Sequence, residues 1–185
     1  MFDHFGFLAP FYEKFIKPKS PDILASHLDL PIQGSLLDVG GGTGRVSGYF
    51  KGQAEKVILA DLSEKMLLES FGKDGLQPVC SHSEKLPFPD GHFERVIMVD
   101  ALHHVCNQKE TAQELWRVLK PAGKIVIEEP DIKNWGVKLV AFGEKIALMR
   151  SRFLSPRRIA ALYQPFTSKL QVFREGHIAW IVIEK

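Results

Sequence analysis

From residue 35 onward, short apolar runs rich in Val, Ile and Leu alternate with stretches whose apolar residues recur at helical spacing, the pattern of parallel βαβ units. The runs predict strands over 35–39, 56–60, 77–80, 94–99 and 123–128, with helices over 63–70 and 109–119 between them. Ser63 stands at a helix N-cap, but Met66 rather than Glu or Gln fills the position three residues on. Half of the capping box is missing. After Pro130 the alternation stops, and residues 133–152 carry Val137, Val140, Ala141, Ile146 and Leu148 at helical spacing, which predicts a helical insertion after the fifth strand. Ser155 followed by Pro156 marks a fresh helix start, because proline at the first helical position gives up no needed N–H. Runs at 169–173 and 179–183, joined through Glu175, Gly176 and His177, then predict a closing antiparallel hairpin.

Ahead of the sheet, Phe2, Phe5, Phe7, Phe11, Tyr12 and Phe15 crowd the segment before Pro18. Aromatics this dense need a packing surface, either the sheet edge as ordinary core or, as a helical cap over 1–34, the mouth of a site. Residues 35–185 then form the core, with the insertion over about 132–165.

Composition narrows the class. A chain of 185 residues with 45% hydrophobic and 25% charged residues suits one globular domain, and a net charge of +2 does not argue by itself for nucleic acid. Cys80 and Cys106 lie in or beside strand-like runs, which predicts buried thiols in a reducing compartment and favours the cytoplasm. The start MFDHFGF has neither the basic region nor the apolar stretch of a signal peptide, and no apolar run approaches the ~18 residues of a membrane span. His103, His104 and Cys106 have no second cluster to complete a metal site, so none is expected. One charge asymmetry is clear. Lys133, Lys138, Lys145, Arg150, Arg152, Arg157 and Arg158 face a single acid, Glu144, and fit a solvated helix face, an anionic acceptor site or a surface that meets anionic membrane.

The candidate chemistry sits at Leu36 to Ser47, LLDVGGGTGRVS, where an apolar strand runs into Gly40, Gly41, Gly42, Thr43 and Gly44. Such a loop lets the backbone turn tightly and approach a ligand. A second apolar run ends at Asp61, where a carboxylate can accept from ribose hydroxyls. A dinucleotide fingerprint requires G-x-G-x-x-G, but after Gly40 and Gly42 that third position is Arg45. This argues against a nicotinamide oxidoreductase, the first alternative.

The spacing D-x-G-x-G-x-G from Asp38 resembles motif I of the class I S-adenosylmethionine-dependent methyltransferases. LADLSEKML (59–67), SEKLPFPDGHFERVIMVDALHHV (83–105) and LWRVLKPAGKIVIEEP (115–130) resemble later blocks of the same family, in its small-molecule, methyltransferase type 11-like branch. The resemblance implies a Rossmann-like α/β fold: a doubly wound, mostly parallel seven-stranded sheet with a C-terminal antiparallel hairpin. It implies S-adenosyl-L-methionine as cofactor and S-adenosyl-L-homocysteine as product, held by Asp38, Gly40, Gly41, Gly42, Thr43, Gly44, Asp61, Leu62, Met66, Ser83, Glu84 and Asp100. Where the family carries an acid for the adenine amino group, this chain has His82.

The function so implied is methyl transfer to a small molecule, an apolar or anionic acceptor such as a quinone or lipid. No D/N-P-P-[YF] motif follows the fourth strand, so a nucleic-acid base is not the expected acceptor. A hydroxyl or acidic carbon needs a base, for which His104, ahead of His103, has suitable chemistry; the bland role for either is capping or packing under the cofactor. Glu128, Glu129 and Asp131 could hold a polar acceptor or cap the next element. A cofactor-binding module without turnover is the second alternative. The acceptor, its attacking atom and the oligomeric state stay open.

Overall fold

The computed structural model describes residues 21–131 and 151–185. The aromatic segment before Pro18, and most of the predicted insertion, lie outside the described residues. Strands β1 (Ser35–Val39), β2 (Lys56–Asp61), β3 (Leu76–Cys80), β4 (Phe93–Val99), β5 (Leu119–Pro130), β6 (Leu170–Glu175) and β7 (Ile178–Glu184) form a seven-stranded sheet in the order β3-β2-β1-β4-β5-β7-β6. The first five run parallel, and β7 is antiparallel to both of its neighbours. Helices α1 (Pro21–His27), α2 (Glu64–Ser70), α3 (Gln108–Val118) and α4 (Pro156–Tyr163), with short 3-10 turns at Ser47–Phe50 and Leu102–His104, complete the described elements.

The sheet register explains why the central strands read as continuous apolar runs. Ile58, Leu37, Val96, Ile125 and Ile183 are lateral partners in one row across five strands. All five belong to one buried cluster with Leu115 of α3 and Ile159 and Tyr163 of α4. On the alternate positions, Ile97, Val126 and Val182 join a second cluster with Leu24, Leu28, Phe50 and Trp180. Both faces are covered, so successive residues of a strand are apolar whichever way they point. Burying each such side chain contributes about 1.5–3 kcal/mol. Within the described part of the predicted cap, residues 21–34, Pro21–His27 thus places Leu24 in the core.

The start of β5 and both cysteines depart from expectation. β5 begins at Leu119 rather than at 123, because the Lys120–Pro121–Ala122–Gly123 turn bulges out and yet stays bonded to the sheet end: Ala122 N–H donates to Lys185 O and Lys185 N–H to Gly123 O, each at 3.1 Å. Cys80 and Cys106 are exposed, not buried. Cys80 ends β3, an edge strand in which no residue is fully buried, and Cys106 lies in the turn before α3.

Candidate active site

Strand order reverses between β1 and β4, and in an open α/β sheet a ligand lies in the crevice outside the strands' carboxyl ends at such a switch point. The loop after β1 stands at this end of the sheet. Gly40 and Gly42 adopt positive φ of 73° and 56°. A Cβ on Gly40 would stand 2.6 Å from the Ala101 Cβ, and one on Gly42 would stand 2.9 Å from Met66 Cε. Met66 is itself buried, so α2 supports the loop from below. Gly41 and Gly44 are packed as tightly, against Leu59 and Leu76, and Thr43 is buried with its carbonyl accepting from Lys73 Nζ at 2.8 Å.

Acids converge on this loop. Asp61, at the end of β2, accepts Gly42 N–H through Oδ2 at 2.9 Å and Ser63 N–H through Oδ1 at 2.8 Å. The second bond replaces the expected Ser63 cap, whose side chain makes no capping bond. Asp38 is 1% exposed and accepts from the Ser47 hydroxyl through Oδ2, while its Oδ1 is buried without a hydrogen-bond partner among the described residues. Burial pushes the Asp38 carboxyl up to about 6, against the pull of the Ser47 bond and the Arg45 charge, and Asp61 adds to the rise. Asp100 takes a positive φ of 51° just beyond β4 and meets Arg45 Nη2 at 3.4 Å. Arg45, which the sequence marks only as a departure from a dinucleotide motif, thus ties the loop to the fourth strand.

The remaining expected site residues divide. Leu62 is 57% exposed beside this loop, and its carbonyl accepts from Cys80 Sγ at 3.7 Å. Ser83 and Glu84 face α3 instead: the Ser83 hydroxyl bonds Thr111 Oγ1 at 3.1 Å, and Glu84 accepts Asn107 N–H at 3.0 Å. His82 is exposed on the same turn.

Beyond β4, His103 is buried with Nδ1 2.6 Å from Glu129 Oε2, and His104 Nδ1 lies 3.2 Å from the Ser151 hydroxyl. Burial first, and the neighbouring His103 second, lower His104 to about 3. Of the other acids at the end of β5 and just beyond it, Glu128 accepts from Trp180 Nε1 at 2.7 Å and Asp131 from Arg174 Nε at 3.1 Å. Both are bound within the fold.

The family described as Methyltransferase domain matches residues 37–127, the stretch that builds this crevice. Residues 37–127 form a class I S-adenosylmethionine-dependent methyltransferase domain. A related sequence is the ubiquinone/menaquinone biosynthesis C-methyltransferase UbiE of Pseudomonas entomophila, 37% identical over 106 residues, which are 51% of this chain and 41% of that protein. The chain therefore matches well under half the length of that relative. Among solved structures, an S-adenosylmethionine-dependent methyltransferase of Thermotoga maritima superposes with a TM-score of 0.83 at 21% identity, over 100% of both chains. One from Aquifex aeolicus does so at 0.71 and 18% identity, over 100% of this chain and 99% of that one. These two likenesses show the fold.

The cofactor of the methyltransferase domain is S-adenosylmethionine, and the crevice suits it. A cationic ligand meets a buried carboxylate with one unpartnered oxygen in Asp38, and the loop has no Cβ where Met66 and Asp61 face Gly42.

Proposed function

We propose that this protein transfers a methyl group from S-adenosylmethionine to a small molecule, an apolar or anionic acceptor such as a quinone or a lipid. The observation that carries the reading is the Asp61–Gly42 bond, which sets a carboxylate at the lip of a side-chain-free loop. When bound, S-adenosylmethionine supplies an electrophilic methyl group on a sulfonium. The chain's part is to hold the acceptor in line with that group and to exclude water. Asp61 receives the ribose hydroxyls, Leu62 and Met66 form apolar walls, Asp38 draws the cationic end, and the turn with Ser83 and Glu84 borders the adenine. His103 and His104 are the candidate bases for an acceptor proton.

The quinone half of the reading draws on the name of the UbiE relative. The anionic and membrane half draws on Arg152, Arg157 and Arg158, which are exposed. Titration calorimetry with S-adenosylmethionine and with NADH, followed by measurement of S-adenosylhomocysteine release in the presence of a short-chain quinol, tests the proposal. Binding of the adenosyl ligand with product release is expected. Heat from NADH alone would overturn it, and binding without release across quinol, phenol and lipid acceptors would favour a module without turnover, for which His82 at the adenine position is the hint.

A further inference from the structure

Two distant stretches of chain close around one imidazole. His103 presents Nδ1 to Glu129 Oε2 at 2.6 Å, and the other oxygen of that carboxylate accepts Leu102 N–H at 2.8 Å. Glu129 is only 3% exposed and is therefore fixed by the turn it faces. From the other side, the Phe153 ring stacks on His103 with centroids 4.2 Å apart and planes at 17°. The main chain there is strapped down as well. Arg152 N–H donates to His103 O at 2.7 Å, and the Gln108 amide donates to both Leu102 O and Arg152 O, at 3.0 and 2.7 Å.

We propose that Glu129 is the positioning residue for His103, holding its proton on Nδ1 so that the Nε2 lone pair receives the proton of the methyl acceptor. The inference rests on the methyl-transfer reading and selects between its two candidate bases. A carboxylate removed from water is costly unless its oxygens are bonded, and here both are, to Leu102 N–H and to the imidazole. Such a carboxylate fixes the tautomer and stabilises the imidazolium formed when a proton arrives. In that step the acceptor's O–H or acidic C–H bond breaks, its electron pair stays on the acceptor atom, and the proton bonds to Nε2. Glu129 keeps its charge, and water later removes the proton.

His104 is unsuited to the same task. Its burial and the His103 ring 4.0 Å away hold it neutral down to about pH 3, so it is a poor proton acceptor near neutrality. Among the described residues, Glu129 from β5 and His104 from its own turn are titratable side chains that meet the His103 ring.

The test uses the full chain with ¹⁵N-labelled histidine, the His103 signals being identified by their loss in His103→Gln. Imidazole NMR at neutral pH should show wild-type His103 protonated on Nδ1, with that population falling in Glu129→Gln, because an amide has a single acceptor oxygen for two donors. Turnover by Glu129→Gln should drop about 100-fold in kcat, the usual size of a general-base contribution, with cofactor affinity within about twofold of wild type. Glu129→Asp should recover part of it. A wild-type ring protonated on Nε2, or a Glu129→Gln variant unchanged in tautomer, would overturn the role of Glu129. A wild-type protein that binds cofactor but methylates nothing would instead overturn the methyl-transfer reading, and the two failures are distinct.

Discussion

Asp61 Oδ2 accepts Gly42 N–H at 2.9 Å, joining residues nineteen apart in the chain and locking the end of β2 to the loop after β1. The same carboxylate takes Ser63 N–H with its other oxygen. One side chain thus orients the glycine loop and starts α2 before any ligand arrives. A carboxylate accepts hydrogen bonds at about four lone-pair positions, and ribose hydroxyls are donors of the kind it takes.

Replacing Asp61 with alanine removes both tasks together. Affinity for S-adenosylhomocysteine should fall by about 1.5–3 kcal/mol, the range for hydrogen bonds to a charged group. Isothermal calorimetry measures this directly. Unchanged affinity would mean that the ribose is held elsewhere.

Asp38 predicts a pH dependence. Burial raises its folded value above the ordinary carboxylate value, to about 6, so the native state binds a proton more tightly than the unfolded chain does. Its contribution to stability is therefore fully present below the unfolded value of 3.8 and is lost as pH rises towards about 6. A cationic ligand prefers the ionised form, so S-adenosylmethionine affinity should increase through the same range and level off above it. Asp38→Asn should flatten that rise. Arg45→Met, which removes a charge that lowers the Asp38 value, should move the midpoint to higher pH.

The parts of this fold that were legible in the sequence are those where one local pattern decides the outcome. Runs buried on both faces, such as Val96 to Val99, read as strands because every residue is apolar. The glycine loop and Asp61 were legible because backbone approach leaves few residue choices. Contacts made by long reach were not. Arg45 to Asp100 spans 55 residues, and nothing in the local spacing of either shows the other. Glu129 was one of three acids after the fifth strand with equal claims, and only the fold separates it, since Glu128 turns to Trp180 and Asp131 to Arg174. The cysteines misled for a related reason: apolar neighbours do not bury the last residue of an edge strand.

Arg117 offers a stability test away from the crevice. Its guanidinium donates to Leu86 O at 3.1 Å and Phe88 O at 2.8 Å, and pairs with Glu114 and Asp90. Arg117→Met should keep much of the stem packing and leave those carbonyls to water. The loss of charge-assisted bonds, about 1.5–3 kcal/mol, should lower Tm by about 3–12 °C. Differential scanning calorimetry checks it, and a Tm within 1 °C of wild type would show that the loop over Leu86 and Phe88 is held by packing alone.

The membrane half of the proposed function makes the last prediction. Arg152, Arg157 and Arg158 are exposed on and just before α4, whose Ile159, Ala160 and Tyr163 face the core, so the arginines project from the covered side of the sheet. Exposed cations attract an anionic lipid surface with about 1 kcal/mol each, and salt screens that attraction over a Debye length of about 10 Å at 0.1 M. Cosedimentation with phosphatidylserine-containing vesicles should therefore occur at low salt and weaken as salt is added, while phosphatidylcholine vesicles bind poorly. Reversing the three arginines to glutamate should abolish sedimentation and leave S-adenosylhomocysteine affinity intact, because none of them belongs to the glycine loop or its acids. If the wild-type protein stays in the supernatant at low salt, the arginines act as a solvated face or serve an anionic acceptor, and the acceptor must be one that reaches the crevice from solution.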